Sequence, residues 1–266
     1  TSPYTYIWSP GGQNAVALTN LITNTYSCTI IDAYNCPSTT TNPVTVIEPV
    51  AVTATSSTTD VICNSTATGT ATMNPNGGVG NYTYLWSDGQ TTQTAINLSA
   101  NTYSCDVSDN PNGCTFTVSG IVVSEPSAVT ATSSTDSVSC NGYSDGSATV
   151  NPSGGVGNYT YLWSPGGQTS SIASNLPADT YSCVVTDSNS CSFTVNGITV
   201  LEPNVLSATA LHTDITCFGD GDGTATASVS GGTSPYTYIW SPGGQTTNPV
   251  TNLITNTYSC TIIDAH

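Results

Sequence analysis

Cysteine is the residue type with the most evident chemistry in this sequence. Ten cysteines occur in 266 residues, and their surroundings divide them into three recurring classes. The first class is Cys63, Cys140 and Cys217; the second is Cys28, Cys105, Cys183 and Cys260; the third is Cys36, Cys114 and Cys191. Cys-x-x-Cys pairs, which are typical of metal sites, are absent, so the pattern favours disulfide bonds.

The number of classes limits how these cysteines pair. Each complete set holds three, so a pairing that treats all sets alike leaves one thiol over, unless that class bonds to another chain. The second class shares a predicted strand face with Tyr181 and Val185, which indicates buried thiols. Pairing it with the third class would bridge a short interval whose length changes between repeats, and a hairpin disulfide should not vary in this way. Cys28, Cys105, Cys183 and Cys260 are therefore candidates for unpaired or inter-chain thiols.

One stretch resembles a catalytic motif. Gly142-Tyr-Ser-Asp-Gly146 matches the Gly-x-Ser-x-Gly nucleophile elbow of hydrolases. An elbow precedes a helix, whereas this stretch precedes a predicted strand, and the equivalent segments 65–69 and 219–223 have no central serine. We therefore predict a turn here, and a protein that is neither an enzyme nor dependent on a cofactor.

Aspartates offer a second kind of chemistry. Asp220 and Asp222 could supply oxygen ligands to calcium. In the preceding copy only one of the two positions holds an aspartate, Asp145, which corresponds to Asp222. The two aspartates are therefore a weak candidate for a single calcium site and indicate no general metal site. Four other aspartates recur at one place in the period, where we predict that they cap turns: Asp32, Asp109, Asp187 and Asp264.

The charge of the chain excludes several functions. It has no Lys or Arg against 16 Asp plus Glu, which gives a formal net charge of -16. Binding nucleic acid or docking on an anionic membrane requires cationic side chains, and a Schiff base requires a lysine. No apolar run is long enough to cross a membrane and Thr1 opens the chain without a leader, so no signal peptide is visible and we expect no membrane insertion.

The elements that position these residues form a repeat. The four tryptophans are almost equally spaced, about 77 residues apart, and a Glu-Pro pair closes each period at Glu48, Glu125 and Glu202. Residues 1–34 match 233–266 at 28 of 34 positions. We predict part of a first repeat at 1–48, complete second and third repeats at 49–125 and 126–202, and part of a fourth at 203–266. We expect the chain to be a window on a longer array.

Each period resembles a small antiparallel sandwich. In the third repeat, short strand signals lie near 128–133, 146–152, 158–164, 169–176, 179–187 and 191–201. A mid-strand tryptophan and a tyrosine two residues before a cysteine indicate an all-β, immunoglobulin-like fold. The predicted core aromatics are Trp8, Trp86, Trp163 and Trp240 with Tyr26, Tyr103, Tyr181 and Tyr258. Were the Tyr-x-Tyr-x-Trp stripe exposed, it could instead stack on sugars.

Several phrases recurring in one order resemble the SprB repeat. They are best read at Cys140–Thr149, Gly154–Thr169, Asn175–Tyr181 and Thr186–Cys191. The resemblance implies very large surface adhesins of gliding Bacteroidota, exported by type IX secretion. It also implies that the first class pairs with the third inside one repeat, Cys63 with Cys114 and Cys140 with Cys191. Immunoglobulin topology would instead favour Cys140 with Cys183.

These observations predict a non-enzymatic extracellular segment of a cell-surface adhesin, serving as its stalk or filament. Its partners would be neighbouring repeats of a longer chain. Two alternatives stay open: a structural filament cross-linked between copies of the chain, and a carbohydrate-binding array that contacts surface glycans.

Overall fold

The computed structural model describes residues 2–37 and 40–266, and this part of the chain contains strands but no helix. The composition explains why, because threonine, tyrosine and valine are abundant and favour extended backbone, while glycine and proline fill the turns. The all-β prediction is confirmed. With no helix among the described residues, none could span a membrane.

The third repeat shows the complete architecture with six strands, which are β10 (Thr130–Asp136), β11 (Gly146–Ser153), β12 (Thr160–Ser164), β13 (Ile172–Leu176), β14 (Asp179–Thr186) and β15 (Ser192–Val200). They form two antiparallel sheets with strand orders β10-β11-β13 and β12-β14-β15. In immunoglobulin lettering these are sheets A-B-E and C-F-G, so the repeat is an immunoglobulin-like sandwich. Strand D is absent from it, because strand E (β13) follows strand C (β12) directly.

The other repeats follow the same plan. The second repeat has the sheets β4-β5-β7 and β6-β8-β9, with strands β4 (Thr53–Thr59), β5 (Gly69–Asn76), β6 (Tyr82–Trp86), β7 (Thr94–Leu98), β8 (Asn101–Asp109) and β9 (Cys114–Val123). The first repeat contributes β1 (Thr5–Ser9), β2 (Asn24–Ile31) and β3 (Val44–Val46). The fourth contributes β16 (Ser207–Thr213), β17 (Gly223–Ser230), β18 (Thr237–Ser241), β19 (Val250–Leu253) and β20 (Ser259–Ile263).

Each complete sandwich buries its largest side chain at the centre. In the third repeat, Trp163 is 1% exposed and its indole Nε1 donates a hydrogen bond to the carbonyl of Ser170 at 2.8 Å. Ala148 and Val150 of β11 and Val185 of β14 belong to the same buried cluster. Alternate residues of facing strands thus fill the space between the two sheets, as the period-2 pattern requires.

The chain forms two compact units that do not follow the repeat boundaries. One unit comprises the chain up to Asp60 together with Ala67–Ser124, and the other comprises Val61–Thr66 together with Glu125–His266. The segment 61–66, which belongs to the second repeat by sequence, is therefore part of the compact unit that contains the third and fourth repeats. We call this segment the first-class loop of the second repeat, because it carries Cys63.

Candidate functional site

The predicted core aromatics lie in the C and F strands, except Tyr258, which directly precedes β20. Trp86, Trp163 and Trp240 are buried, as are Tyr26, Tyr103 and Tyr181, whereas Trp8 and Tyr258 are half-buried. Each of the four tyrosines donates its hydroxyl hydrogen to a carbonyl four residues upstream, with Tyr181 bonded to Pro177 at 3.0 Å. This is the tyrosine corner of immunoglobulin-like domains. Trp8 is less covered because the described first repeat has only one sheet.

Second-class cysteines lie in the core on the F strand. Cys183 is fully buried opposite Trp163 on the neighbouring strand, and Cys105 is 1% exposed opposite Trp86. Neither thiol forms a disulfide, and the same holds for Cys28 and for half-buried Cys260. The B strand β11 carries no cysteine, so the disulfide that links strands B and F in antibody domains cannot form. Burial raises the pKa of the Cys105 and Cys183 thiols, which makes them poor nucleophiles.

Sulfur atoms of the first and third classes meet at one place. Cys63 and Cys191 form a disulfide with a Cα–Cα distance of 5.6 Å, across a sequence separation of 128 residues. Cys114 and Cys140 are unbonded. The pairs implied by the family resemblance, Cys63 with Cys114 and Cys140 with Cys191, are therefore corrected: a first-class cysteine bonds to a third-class one, but in the following repeat. The alternative pair, Cys140 with Cys183, is also absent.

The length of the G strand explains this correction. In the third repeat, Cys191 directly precedes the nine-residue strand β15, which spans about 27 Å. Cys140 lies beyond the opposite end of that strand, since the N–H of Val138 donates to the carbonyl of Leu201 at 3.0 Å. A disulfide needs Cα atoms within roughly 7 Å of each other. The two cysteines therefore lie at opposite ends of one sandwich and cannot bond to each other.

The first-class loop is held against the Glu-Pro junction by two hydrogen bonds. The side-chain amide of Asn64 donates to the carbonyl of Pro126 at 3.1 Å, and the N–H of Ser65 donates to the Glu125 carboxylate at 2.6 Å. A carboxylate acceptor strengthens the second bond. We call this pair of bonds the junction clamp.

The same clamp recurs one repeat later. Asn141 donates to the carbonyl of Pro203 at 3.1 Å, and the N–H of Gly142 donates to the Glu202 carboxylate at 3.0 Å. The stretch that resembles a nucleophile elbow is thus a junction loop. Glu125 and Glu202 each accept a hydrogen bond from the junction loop of their own clamp, in addition to marking the period.

A buried aspartate shapes the turn that presents Cys191. One carboxylate oxygen of Asp187 accepts hydrogen bonds from the N–H groups of Asn189 and Cys191, both at 2.9 Å, and the other accepts from Val156 at 2.9 Å. The predicted turn-capping role of this aspartate is confirmed. Burial acts to raise its pKa, but the three N–H donors outweigh burial and hold the pKa below the ordinary 3.8.

The Asp187 turn also contacts the first-class loop directly. The side-chain amide of Asn189 donates to the carbonyl of Ile62 at 3.1 Å, one residue before Cys63. Gly155 packs so closely on Asp187 that an added Cβ would lie 2.6 Å from a carboxylate oxygen, and its φ of +66° also disfavours a side chain. The disulfide therefore joins two loops that hydrogen bonds already hold in place.

The calcium candidates have local partners. Both carboxylate oxygens of Asp222 accept hydrogen bonds from Thr216, at 3.0 Å from its N–H and 2.6 Å from its hydroxyl, and Asp220 accepts a longer one from the same hydroxyl. Asp145 has the same relation to Ser139. Within residues 2–37 and 40–266, no group of three or more residues is arranged to hold a metal ion. These aspartates stabilise the turn that follows the A strand.

Comparison with known families matches the repeated unit. The model of the SprB repeat matches residues 55–91, 132–168 and 209–245, which recur at the period of the tryptophans. Three stretches of this chain thus match the SprB repeat. SprB repeats belong to cell-surface proteins. Each matched stretch contains the first-class cysteine and the tryptophan of its repeat, while the third-class cysteine and the closing Glu-Pro lie outside it.

The solved structures to which this chain is similar contain several domains in a row. Three N-terminal domains of the bacteriophage RB49 Highly Immunogenic Outer Capsid protein (Hoc) are 14% identical, with coverage of 76% of this chain and 78% of that one and a TM-score of 0.41. The N-terminal four Ig domains of Dscam1 isoform 9.44 are 12% identical, with coverage of 98% and 87% and a TM-score of 0.22. The fold class rests on the strand pairing described above. No curated protein matches the chain significantly.

Proposed function

We propose that this chain is an extracellular stalk segment of a large repetitive adhesin, which transmits tension between a cell surface and a distant binding site. The observation that carries the proposal is the Cys63–Cys191 bond, because it joins successive SprB repeats covalently. A disulfide of this kind persists in oxidising surroundings outside the cell. A role in gliding motility and export by type IX secretion belong to this proposal through the family resemblance alone.

A structural role agrees with the chemistry of the side chains. Ser144 of the elbow-like stretch lies in a clamped junction loop, and His212 lies 3.6 Å from the carboxylate of Asp214 on the exposed edge of β16. The repeat family and the immunoglobulin-like fold favour a non-enzymatic protein. The net charge of -16 favours separation between neighbouring chains by repulsion.

The glycan-binding alternative is less favoured by the position of the aromatic stripe. Trp163 is buried, and Tyr159 and Tyr161 pack against the core cluster, with the Tyr159 hydroxyl bonded to the carbonyl of Gly154. A stacking platform for sugars needs an exposed ring face. The remaining alternative, a filament cross-linked between chains, would use the exposed thiols of Cys36, Cys114 or Cys217.

Antibody labelling tests the stalk proposal on cells that produce the protein. Antibodies raised against the 266-residue chain should label intact cells, and a protease added outside should remove the label together with adhesion to surfaces. Label that appears only after lysis would overturn the surface role. Binding of the purified chain to a glycan array would replace the stalk by the glycan-binding alternative.

A further inference from the structure

The bond between Cys63 and Cys191 has a definite position in the repeat. Cys63 is the first-class cysteine of the second repeat, and Cys191 is the third-class cysteine of the third repeat. Moving this pair along the chain by one period gives Cys140 with position 268, and moving it back gives Cys114 with position -14. Neither second position lies within the 266 residues, so one rule accounts for the bonded pair and for the unbonded thiols of Cys114 and Cys140.

Cys140 is presented in the same way as Cys63. Asn141 and Gly142, which follow it, make the junction clamp with Pro203 and Glu202, at distances close to those made by Asn64 and Ser65. Both cysteines are half-buried in the loop between strands A and B. The loop of Cys140 therefore has the conformation in which the equivalent loop carries a disulfide.

The turn that would carry the partner begins as the Asp187 turn does, and His266 acts electrostatically on Asp145, which is bonded to the residue before Cys140. Asp264 accepts a hydrogen bond from Thr233 at 2.9 Å, as Asp187 does from Val156. Hydrogen bonds from the Ser139 hydroxyl and N–H lower the pKa of Asp145, and the charge of His266 lowers it further. His266 corresponds to Asn189, which contacts the loop of Cys63 in the bonded pair. Position 268 is two residues further along.

We propose that the first-class cysteine of every repeat forms a disulfide with the third-class cysteine of the following repeat, so that successive disulfides enclose overlapping loops. The bond forms when the two thiols transfer two electrons and two protons to a disulfide oxidant, which leaves as two thiols. The partner of Cys140 is thus the third-class cysteine of the fourth repeat, which corresponds to position 268. The proposal depends on the position of the bond and not on the adhesin role, so the two can fail separately.

Overlap has a mechanical consequence. A loop from Cys63 to position 191 and a loop from Cys140 to position 268 share residues 140–191. Under tension, the shortest covalent path crosses one disulfide and then follows only the short stretch from Cys191 to Cys217 before the next. Two unfolded periods would extend by about 90 Å along this path, against about 540 Å without disulfides. The bond of Cys140 begins inside the loop that Cys63 closes and ends inside the loop that Cys217 closes. If one disulfide breaks, the overlapping bond therefore still keeps part of the chain from extending.

Completing the fourth repeat tests the proposal. Residues 35–48 of the first repeat are fused after His266, which places a copy of Cys36 at position 268 because the two ends of the chain align at an offset of 232. The full extended chain is reduced, reoxidised with glutathione disulfide and digested with pepsin, since it has no Lys or Arg for trypsin. Non-reducing mass spectrometry then identifies the bonded peptides.

The expected result is two bonds in one molecule, Cys63 with Cys191 and Cys140 with the added cysteine, and seven free thiols among eleven cysteines. The matched control has serine in place of the added cysteine and should keep Cys140 free. A free Cys140 in the extended chain, a bond from Cys140 to any other cysteine, or disulfide-linked dimers would overturn the proposal. If the extension prevents even the bond between Cys63 and Cys191, a longer extension copied from residues 35–125 supplies the same cysteine within more repeat sequence and brings the cysteines to fourteen. The expected result is then the same two bonds and a third between Cys217 and the copy of Cys114, with eight free thiols, and a free Cys140 would again overturn the proposal.

Discussion

The sulfur atoms of Cys63 and Cys191 are bonded although 128 residues separate the two cysteines and each belongs to a different repeat. Closing a loop of this length removes conformational entropy worth about 5 kcal/mol from the unfolded chain in the chain-entropy description. The hydrogen bond between Asn189 and Ile62 lies directly beside the disulfide. Covalent and polar contacts therefore hold the first-class loop of the second repeat on the third repeat.

Thiol counting tests the pairing. The native chain has eight free cysteines, of which Cys36, Cys114 and Cys217 are exposed. We expect these three to react quickly with a thiol reagent at pH 8, and Cys105 and Cys183 to react slowly because burial raises their pKa. Unfolding without reductant should expose eight thiols in total. A total of six would indicate the two within-repeat bonds instead.

Replacing Asp187 tests the turn that presents Cys191. The lowered pKa of Asp187 means that its contribution to stability is complete above the unfolded pKa, about 3.9, and is lost as the pH falls through the folded pKa. Asp187→Asn should therefore lower the unfolding midpoint at pH 7 and remove part of the acid dependence below pH 4. Urea unfolding followed by circular dichroism at several pH values measures both effects.

Asp214 supplies the control for this experiment, because its side chain is 91% exposed. Asp214→Asn should leave the pH profile close to that of the parent chain. Equal acid dependence of the Asp187→Asn chain and the parent would show that Asp187 does not anchor the turn through its charge.

Trp163 and Leu162 are neighbours on one strand that face in opposite directions. Trp163 is 1% exposed and Leu162 is 54% exposed. Trp163→Ala should cost about 3–5 kcal/mol through the cavity it leaves, whereas Leu162→Ala should cost less than about 1 kcal/mol. Chemical unfolding followed by circular dichroism measures both changes. Similar losses for the two variants would argue against a tryptophan core and for a surface role of the aromatic stripe.

The two junction clamps allow a matched comparison. Asn64 positions the loop of Cys63, while Asn141 makes the same bond one repeat later. Asn64→Ala should slow reoxidation of the Cys63–Cys191 pair several-fold after reduction, because the loop loses a hydrogen bond worth about 1 kcal/mol. Asn141→Ala should reoxidise at the parental rate. Timed alkylation followed by mass spectrometry gives the rates, and equal rates for both variants would remove the positioning role of Asn64.

Much of the fold was predictable from the sequence. The predicted strands at 146–152 and 179–187 agree closely with Gly146–Ser153 and Asp179–Thr186, because alternating apolar residues and Gly-rich turns define them. The strand predicted at 128–133 begins instead at Thr130, since the chain after Pro126 first passes the junction clamp. The clamp depends on contacts between residues far apart in the chain, which local patterns do not report.

The register of the disulfide could not be predicted for a related reason. A pair inside one repeat and a pair between successive repeats differ only by one repeat period, and the cysteine classes are the same in both. Only the length of the G strand β15, which holds Cys140 and Cys191 apart, distinguishes them. The asparagine that follows Cys63 and Cys140 was visible in the sequence, but nothing local indicated that a carbonyl beyond the Glu-Pro pair would be its acceptor.

Pulling single molecules by their two ends tests the central claim, that the Cys63–Cys191 bond carries tension from one repeat to the next. In the oxidised chain the bond removes 128 residues from the extensible length, so complete unfolding should release about 450 Å less contour length than in the reduced chain. Cys63→Ser should abolish this difference, and Cys114→Ser should preserve it. An oxidised parent chain that extends as far as the reduced one would contradict the account.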